Sequence, residues 1–163
     1  MKAGSHEINE GIVRLYSRGT LINTFDFGAA GFSSQLGNAL ARALVGQFGH
    51  TSIEAQRQSW RCLRKFASFL LSTEQGPCIR LKPDVLAGFR DWLARSGLAA
   101  STSQSVLNVV AAILNWCSRN APAVLAPQTT LLVQGFVRHA PAERPLLTSD
   151  DLKAILTACY TEI

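Results

Sequence analysis

The sequence predicts an all-α domain, a bundle of four to five helices preceded by an irregular arm with one or two short strands. Apolar residues recur every three or four positions through most of residues 34–120, which is the period of a helix buried along one face. Residues that favour helix ends interrupt this pattern repeatedly. With 163 residues, 47% of them hydrophobic, the chain has enough apolar side chains for one globular core.

Changes in composition divide the chain into four segments. Residues 1–33 are rich in glycine and lean towards β-structure, which predicts the N-terminal arm. Residues 34–120 form the predicted helical domain. Residues 121–147 hold four of the six prolines and are predicted to be a linker, with one short helix at most. Residues 148–163 begin a new capped helix, which we expect to be the first helix of a further, truncated domain.

Cap residues predict where the four main helices begin and end. The predicted starts are Ser33 or Ser34, Thr51 in a capping box with Glu54, Pro83, and Ser101 or Thr102. The predicted ends are Phe48 before Gly49, Ser72, the turn over residues 95–97, and Arg119.

The positive charge of the protein is concentrated in the middle of the chain. The formal net charge is +5. Nine cations and four acids lie between Thr51 and Arg119, whereas the rest of the chain holds seven of each. A polyanionic partner would therefore dock on the central helices.

The second predicted helix carries four cations on one face. On a helical wheel, Arg57, Arg61, Arg64 and Lys65 fall within an arc of about 100°, opposite the apolar residues. We call these four residues the basic stripe. No acid stands four residues before any of them, so the sequence predicts an unneutralised stripe that binds phosphates. The alternative is an ordinary solvated helix face.

The fourth predicted helix carries amides where the second carries cations. Gln104, Asn108 and Asn115, which we call the amide face, share one side of the helix with Arg119. Ser101, Ser105, Ala111 and Ala112 lie on that side as well. A slim, nearly uncharged surface of this kind suits the major groove, where amides pair bidentately with adenine. The alternative is again a solvated face without a ligand.

These patterns predict a set of DNA-binding residues. The set is Arg57, Arg61, Arg64, Lys65, Lys82, Ser101, Thr102, Gln104, Ser105, Asn108, Asn115 and Arg119. The cations are expected on phosphates, and the amides are expected on base edges.

No catalytic residue, metal site or cofactor is predicted. The sequence has no phosphate-binding loop, nucleophile elbow or zinc-protease motif. The four cysteines are far apart and lack histidines at zinc-ligand spacing, so we expect reduced thiols, with Cys62 and Cys117 in the core. No apolar run is long enough for a membrane span, and the first ten residues are unlike a secretory signal. We therefore expect a soluble, cytoplasmic protein without a membrane partner.

Three stretches in this order resemble the N-terminal core-binding domain of tyrosine recombinases of the phage-integrase type. The stretch "TSIEAQRQSWRCLRKFASFLL" is similar to the first long helix of such domains, with its Leu-x-x-Phe-x-x-Phe-Leu ending. The stretch "LKPDVLAGFRDWLARSGLAASTSQSVLNVVAAILNWCSRN" is similar to the helix pair that follows. The stretch "ERPLLTSDDLKAIL" is similar to the linker and the opening helix of the catalytic domain.

The resemblance covers residues 51–160 and implies both a fold, the SAM-like helical bundle of core-binding domains, and a function. Such a domain grips duplex DNA during site-specific recombination and DNA integration, while a catalytic domain holds the other face of the duplex. The partners it implies are double-stranded DNA, the chain's own catalytic domain and other recombinase protomers. The catalytic residues are expected beyond Ile163, so this part of the chain is not itself an enzyme.

One departure and two rival functions accompany the resemblance. Related helices commonly carry several arginines where this chain has Ser105, Val106, Ala111 and Asn115, so recognition relies either on amides or mostly on the basic stripe. The first rival is a helix-turn-helix transcription-factor domain, for which residues 97–100 supply only a loose turn. The second rival is a helical protein-interaction module whose basic stripe meets an acidic protein.

Overall fold

The computed structural model describes residues 4–73 and 80–126. In this part of the chain the elements follow one another as β1 (Ser5–Asn9), β2 (Ile12–Ser17), β3 (Thr20–Asp26), α1 (Phe27–Ala30), α2 (Ser34–Phe48), α3 (Ile53–Ser72), α4 (Val85–Ala94) and α5 (Ala100–Asn120), with a 3₁₀ turn at Pro122–Val124. The rest of the predicted linker and the predicted helix over 148–163 lie outside the described residues.

The fold is mostly helical, as predicted, and the N-terminal arm, for which one or two short strands were expected, forms a small sheet of three strands. Residues 5–26 form a three-stranded antiparallel sheet in the order β1-β2-β3. Two-residue turns join the strands, and both residues of each turn have positive φ: Glu10 and Gly11 (49° and 76°), then Arg18 and Gly19 (51° and 78°). Such turns match the twist of paired strands. The usual Asn-Gly or Asp-Gly signal is missing, which is why the sequence predicted only irregular strands.

The sheet shares the core of the helices. Val13 on β2 and Phe25 on β3 are buried in the same apolar cluster as the helical residues. The ring of Trp60 on α3 packs against Phe25 and Phe27, with centroid separations of 5.4 and 4.8 Å. The predicted arm is therefore packed onto α3, the helix that carries the basic stripe.

The predicted extent of α2 is confirmed. Ser33 caps its first turn by accepting a hydrogen bond from the backbone N–H of Leu36 at 3.4 Å. Gly49 is the C-terminal cap, and its N–H donates to the carbonyl of Val45. The end of α3 at Ser72 is also as predicted.

Three predicted helix starts were wrong by one to two residues. Ser52, not Thr51, caps α3, because the Thr51 hydroxyl instead donates to the carbonyl of Phe48 at 2.6 Å and closes the preceding turn. Pro83 precedes α4, which begins at Val85. Residues 101 and 102 lie inside the first turn of α5, whose N-cap is Ala99 without a side-chain cap. Local capping patterns shift easily because neighbouring hydroxyls compete for the same backbone groups.

Aromatic rings from two helices form the centre of the helical core. Phe66 and Phe69 on α3 contact Phe89 on α4, with centroid separations of 5.2 and 5.4 Å. The backbone of Leu81 pairs with the segment after α5 through the hydrogen bond from its N–H to the carbonyl of Val124. Among the described residues no helix has the length and hydropathy that a membrane crossing requires.

Candidate nucleic-acid interface

The basic stripe lies on the outer face of α3, as the sequence predicts. Arg61 and Arg64 are exposed, and Arg57 and Lys65 are half-buried. On the opposite face, Leu63 and Phe66 are fully buried. The interleaving of cations with large apolar residues thus separates the two kinds of side chain in space, because successive helical residues turn by about 100°.

Half of the basic stripe has an acidic partner, which corrects the expectation of an unneutralised stripe. Glu54, at the start of α3, accepts a hydrogen bond from Arg61 Nη1 at 3.2 Å and from Arg57 Nη1 at 3.5 Å. Arg61 Nη1 also donates to Gln58 Oε1 at 3.1 Å. No acid stands four residues before any of these cations, but Glu54 stands three residues before Arg57 and seven before Arg61. Both spacings also place side chains on one helix face.

Arg57 is held by the sheet as well as by Glu54. The amide of Asn23 on β3 is oriented by its partners, so that its nitrogen donates to the Ile22 carbonyl and its oxygen accepts from Arg57 Nε at 2.6 Å. Two different nitrogens of the Arg57 guanidinium, Nη1 and Nε, thus have protein acceptors, which leaves it less available to an external phosphate, whereas both acceptors of Arg61 lie on Nη1. Arg57 therefore has a positioning role between β3 and α3 that the sequence did not predict.

A buried amide fixes the first turn of α3 to the sheet and to the preceding turn. Gln56 is 2% exposed, and its Nε2 donates to the carbonyls of Gly49 and Thr51. Its Oε1 lies 2.7 Å from His6 Nε2 on β1, and since an amide oxygen only accepts, this histidine nitrogen is the donor. The satisfied amide sets the orientation of α3 relative to the sheet.

Three of the four residues of the basic stripe line an open groove of about 440 Å³. Its lining residues are Ala29 and Ala30 on α1 and Arg61, Arg64, Lys65 and Ser68 on α3. We call this the basic groove. Within residues 4–73 and 80–126, Arg64 and Lys65 form no ion pair, in contrast to Arg57 and Arg61.

Most residues that were predicted to share the outer side of α5 with the amide face lie there, with one exception. Asn108 and Arg119 are exposed, and Gln104 and Asn115 are half-buried. Ala111, which was expected on this face, is 2% exposed and belongs to the core. Gln104 Nε2 donates to Asn108 Oδ1 at 2.8 Å, so two of the predicted base readers bind each other in the free protein.

The remaining predicted residues lie at the start of α5 and before α4. Ser101, Thr102 and Ser105 are exposed in the first two turns of α5, and the Ser105 hydroxyl donates to the Ser101 carbonyl at 3.0 Å. Lys82 is exposed in the turn before α4. The structure thus brings Arg61, Arg64 and Lys65 together on α3 and the predicted readers together on α5, while Lys82 lies on neither helix.

Arg42 is a cation beside α5 that was not among the predicted DNA-binding residues. Helices α2 and α5 pack closely because Gly46 lacks a side chain: a Cβ there would lie within 2.6 Å of Trp116 Cε2. The guanidinium of the exposed Arg42 lies 5.8 Å from the centre of the Trp116 ring. The sequence contains no signal for this neighbour, since residues 42 and 116 come together only through helix packing.

The inner faces of α3 and α5 each bury one thiol. Burial raises the pKa of Cys62, an effect that the charge of Lys65 partly offsets. Burial raises the pKa of Cys117 to about 11. The described residues contain no cluster of three or more His, Cys, Asp or Glu side chains that would hold a metal ion. The outer faces of α3 and α5 present cations, which can bind anions, and amides, which can form hydrogen bonds with base edges.

No protein-family model, no curated protein and no solved structure matches this chain at a significant level.

Proposed function

We propose that this chain is the core-binding domain of a site-specific tyrosine recombinase of the integrase type, and that it grips duplex DNA in the cytoplasm. The observation that carries the DNA-binding part is the pair Arg64 and Lys65, which project from α3 without an acidic partner among the described residues. When cations without an acidic partner bind phosphates, the counterions condensed on the DNA are released. This release favours association with DNA. The recombinase part rests on the order and spacing of the helix patterns in residues 51–160.

The proposed division of labour follows the chemistry of the two faces. Arg64, Lys65 and Arg61 bind phosphates from α3, and Arg119 and Arg42 bind phosphates beside α5. Gln104, Asn108 and Asn115 reach base edges, after the bond between Gln104 and Asn108 opens. Arg57 contributes chiefly by holding α3 against the sheet.

A salt titration tests the DNA-binding part. The variant Arg64→Ala with Lys65→Ala removes two charge-assisted contacts of about 1.5 kcal/mol each, so affinity for a labelled mixed-sequence duplex falls roughly 100-fold. The slope of log affinity against log salt falls by about two. Fluorescence anisotropy of the 163-residue chain at several salt concentrations measures both.

The matched control removes the same charge from the sheet. Arg14→Ala with Arg18→Ala takes two cations from β2 and the turn after it, so affinity and salt slope stay close to those of the unmodified chain. If both pairs of substitutions weaken binding equally, attraction depends on net charge and not on the basic stripe.

Two further results decide between the proposal and its rivals. Capture of an acidic protein that unrelated duplex DNA does not displace would favour the protein-interaction module. For the recombinase part, the reading frame after codon 163 is expected to encode an Arg, a His-x-x-Arg motif and a Tyr nucleophile. A complete downstream domain without these residues would favour the transcription-factor rival.

A further inference from the structure

The wall of the basic groove opposite α3 is built by α1, a short helix held firmly in place. Asp26 caps α1 by accepting a hydrogen bond from Ala29 N–H at 3.0 Å, and Phe27 is fully buried against Trp60. Gly31 ends α1 with φ of 110°, and a Cβ at this position would lie 2.7 Å from Leu71 Cδ1 on α3. Both ends of α1 therefore rest on α3, so the groove is formed before any ligand arrives.

The lining of the basic groove selects for anions. Three of its six lining residues are cations, and no carboxylate is among the six. The guanidinium of Arg61 is shared with Glu54 outside the lining, whereas Arg64 and Lys65 have no ion-pair partner in the described ranges. Like charges that line one groove repel one another, and an anion between them relieves that repulsion.

The lining also limits which anion fits. The methyl side chains of Ala29 and Ala30 leave the groove open, and the Ser68 hydroxyl is occupied in donating to the Arg64 carbonyl at 3.1 Å. The six lining residues include no aromatic ring on which a base would stack and no acid that would hold a ribose hydroxyl. The groove therefore suits a phosphate group without demanding the rest of a nucleotide.

We propose that the basic groove seats one phosphodiester of the duplex backbone, with Arg64 and Lys65 as its direct ligands and Arg61 joining them as it leaves Glu54. This inference rests on the proposed DNA-binding function and adds that α1 fixes where the backbone lies along α3. A free phosphate group offers the same chemistry, so the experiment separates the two sources.

The experiment places one negative charge inside the groove and the same charge outside it. Ala29→Glu points a carboxylate into the groove, while Ala87→Glu adds a carboxylate to the exposed face of α4. We expect Ala29→Glu to lower duplex affinity roughly tenfold and to reduce the salt slope by about one, and Ala87→Glu to change affinity less than about twofold. Ser68→Glu, at another exposed lining residue, is expected to match Ala29→Glu and serves if the latter unfolds.

The possible results distinguish a failure of the groove assignment from a failure of the proposed function. If the unmodified chain binds duplex DNA and the glutamates at 29, 68 and 87 weaken it equally, the groove is not a phosphate seat, although the DNA-binding function stands. If the chain does not bind duplex DNA, the proposed function fails. Inorganic pyrophosphate is then titrated by NMR. Saturable shifts of the Ala29 and Ser68 amides that Ala29→Glu abolishes would assign the groove to free phosphate and overturn the duplex assignment. The absence of such shifts would show that the groove is not an anion site.

Discussion

The outer faces of α3 and α5 show two ways in which a helix can present polar groups. On α3 the groups are charged, and one acid, Glu54, holds two of the four cations. On α5 they are mostly neutral, and the amides of Gln104 and Asn108 hold each other. Charges act over several ångströms without a strict direction, whereas amides act only at hydrogen-bond distance and angle. The first face is therefore suited to affinity and the second to discrimination.

The two sides of α3 offer the sharpest contrast, and substituting Phe66 tests it with the largest expected effect. Phe66→Ala removes a fully buried ring that contacts Phe32, Phe69 and Phe89, so the free energy of unfolding falls by about 3–5 kcal/mol. Arg64→Ala on the outer side is expected to change it by less than about 0.5 kcal/mol. Chemical denaturation followed by circular dichroism measures both. Equal losses would mean that the stripe is a structural element.

The buried Cys117 thiol on α5 makes the stability of the protein depend on pH. The folded protein keeps the Cys117 thiol protonated up to a pKa of about 11, while in the unfolded chain the thiol ionises near its ordinary value of 9.0. The unfolded state therefore loses this proton first, and stability falls as the pH rises from 9 to 11, by on the order of 2 kcal/mol.

The control for this prediction is Cys117→Ala, compared by slope and not by absolute stability, since the smaller side chain leaves a cavity. Urea titrations of both proteins at intervals between pH 8 and 11 give the two slopes. A variant that loses stability with pH as steeply as the unmodified chain would show that other groups, such as lysines and tyrosines, dominate this range.

The amide face is expected to contribute discrimination and little electrostatic affinity. Gln104→Ala with Asn108→Ala removes two neutral groups, so the preference for the best site over a random duplex falls roughly tenfold, about 1.4 kcal/mol. The salt slope stays unchanged. Selection from a random duplex library, followed by anisotropy with the selected site, measures both quantities. An altered slope with unchanged preference would reverse the roles assigned to α3 and α5.

The smallest expected effect comes from the acid that restrains the basic stripe. Glu54→Gln removes two exposed ion pairs, each worth about 0.2–1 kcal/mol, and frees Arg61, while Asn23 still holds Arg57. Duplex affinity is therefore expected to rise about two- to threefold, and the salt slope to steepen. Asp91→Asn breaks the exposed pair with Arg90 on α4 and is the matched control. If both variants gain equally, the gain reflects net charge alone.

The sequence predicted the apolar faces of the helices well and three of the four helix starts poorly. The apolar faces of the four main helices emerged from a three- to four-residue repeat, because burying one helix face imposes that repeat over many residues. Thr51, Pro83 and Ser101 were misplaced as helix starts because a cap depends on a few hydrogen bonds that neighbouring residues can also make. The sheet was underestimated because its turns, Glu10-Gly11 and Arg18-Gly19, lack the common residue pairs.

The sequence by itself determined which side chains of α3 face outwards, because helix geometry places residues 57, 61, 64 and 65 on one side whatever surrounds them. Only the tertiary structure decided which of those cations remain available. The partners of Arg57 come from β3 and from the first turn of α3, the wall facing Arg64 and Lys65 comes from α1, and Arg42 reaches Trp116 because Gly46 lets two helices approach. Availability depends on distances between elements far apart in the chain, and a residue pattern within one helix does not contain those distances.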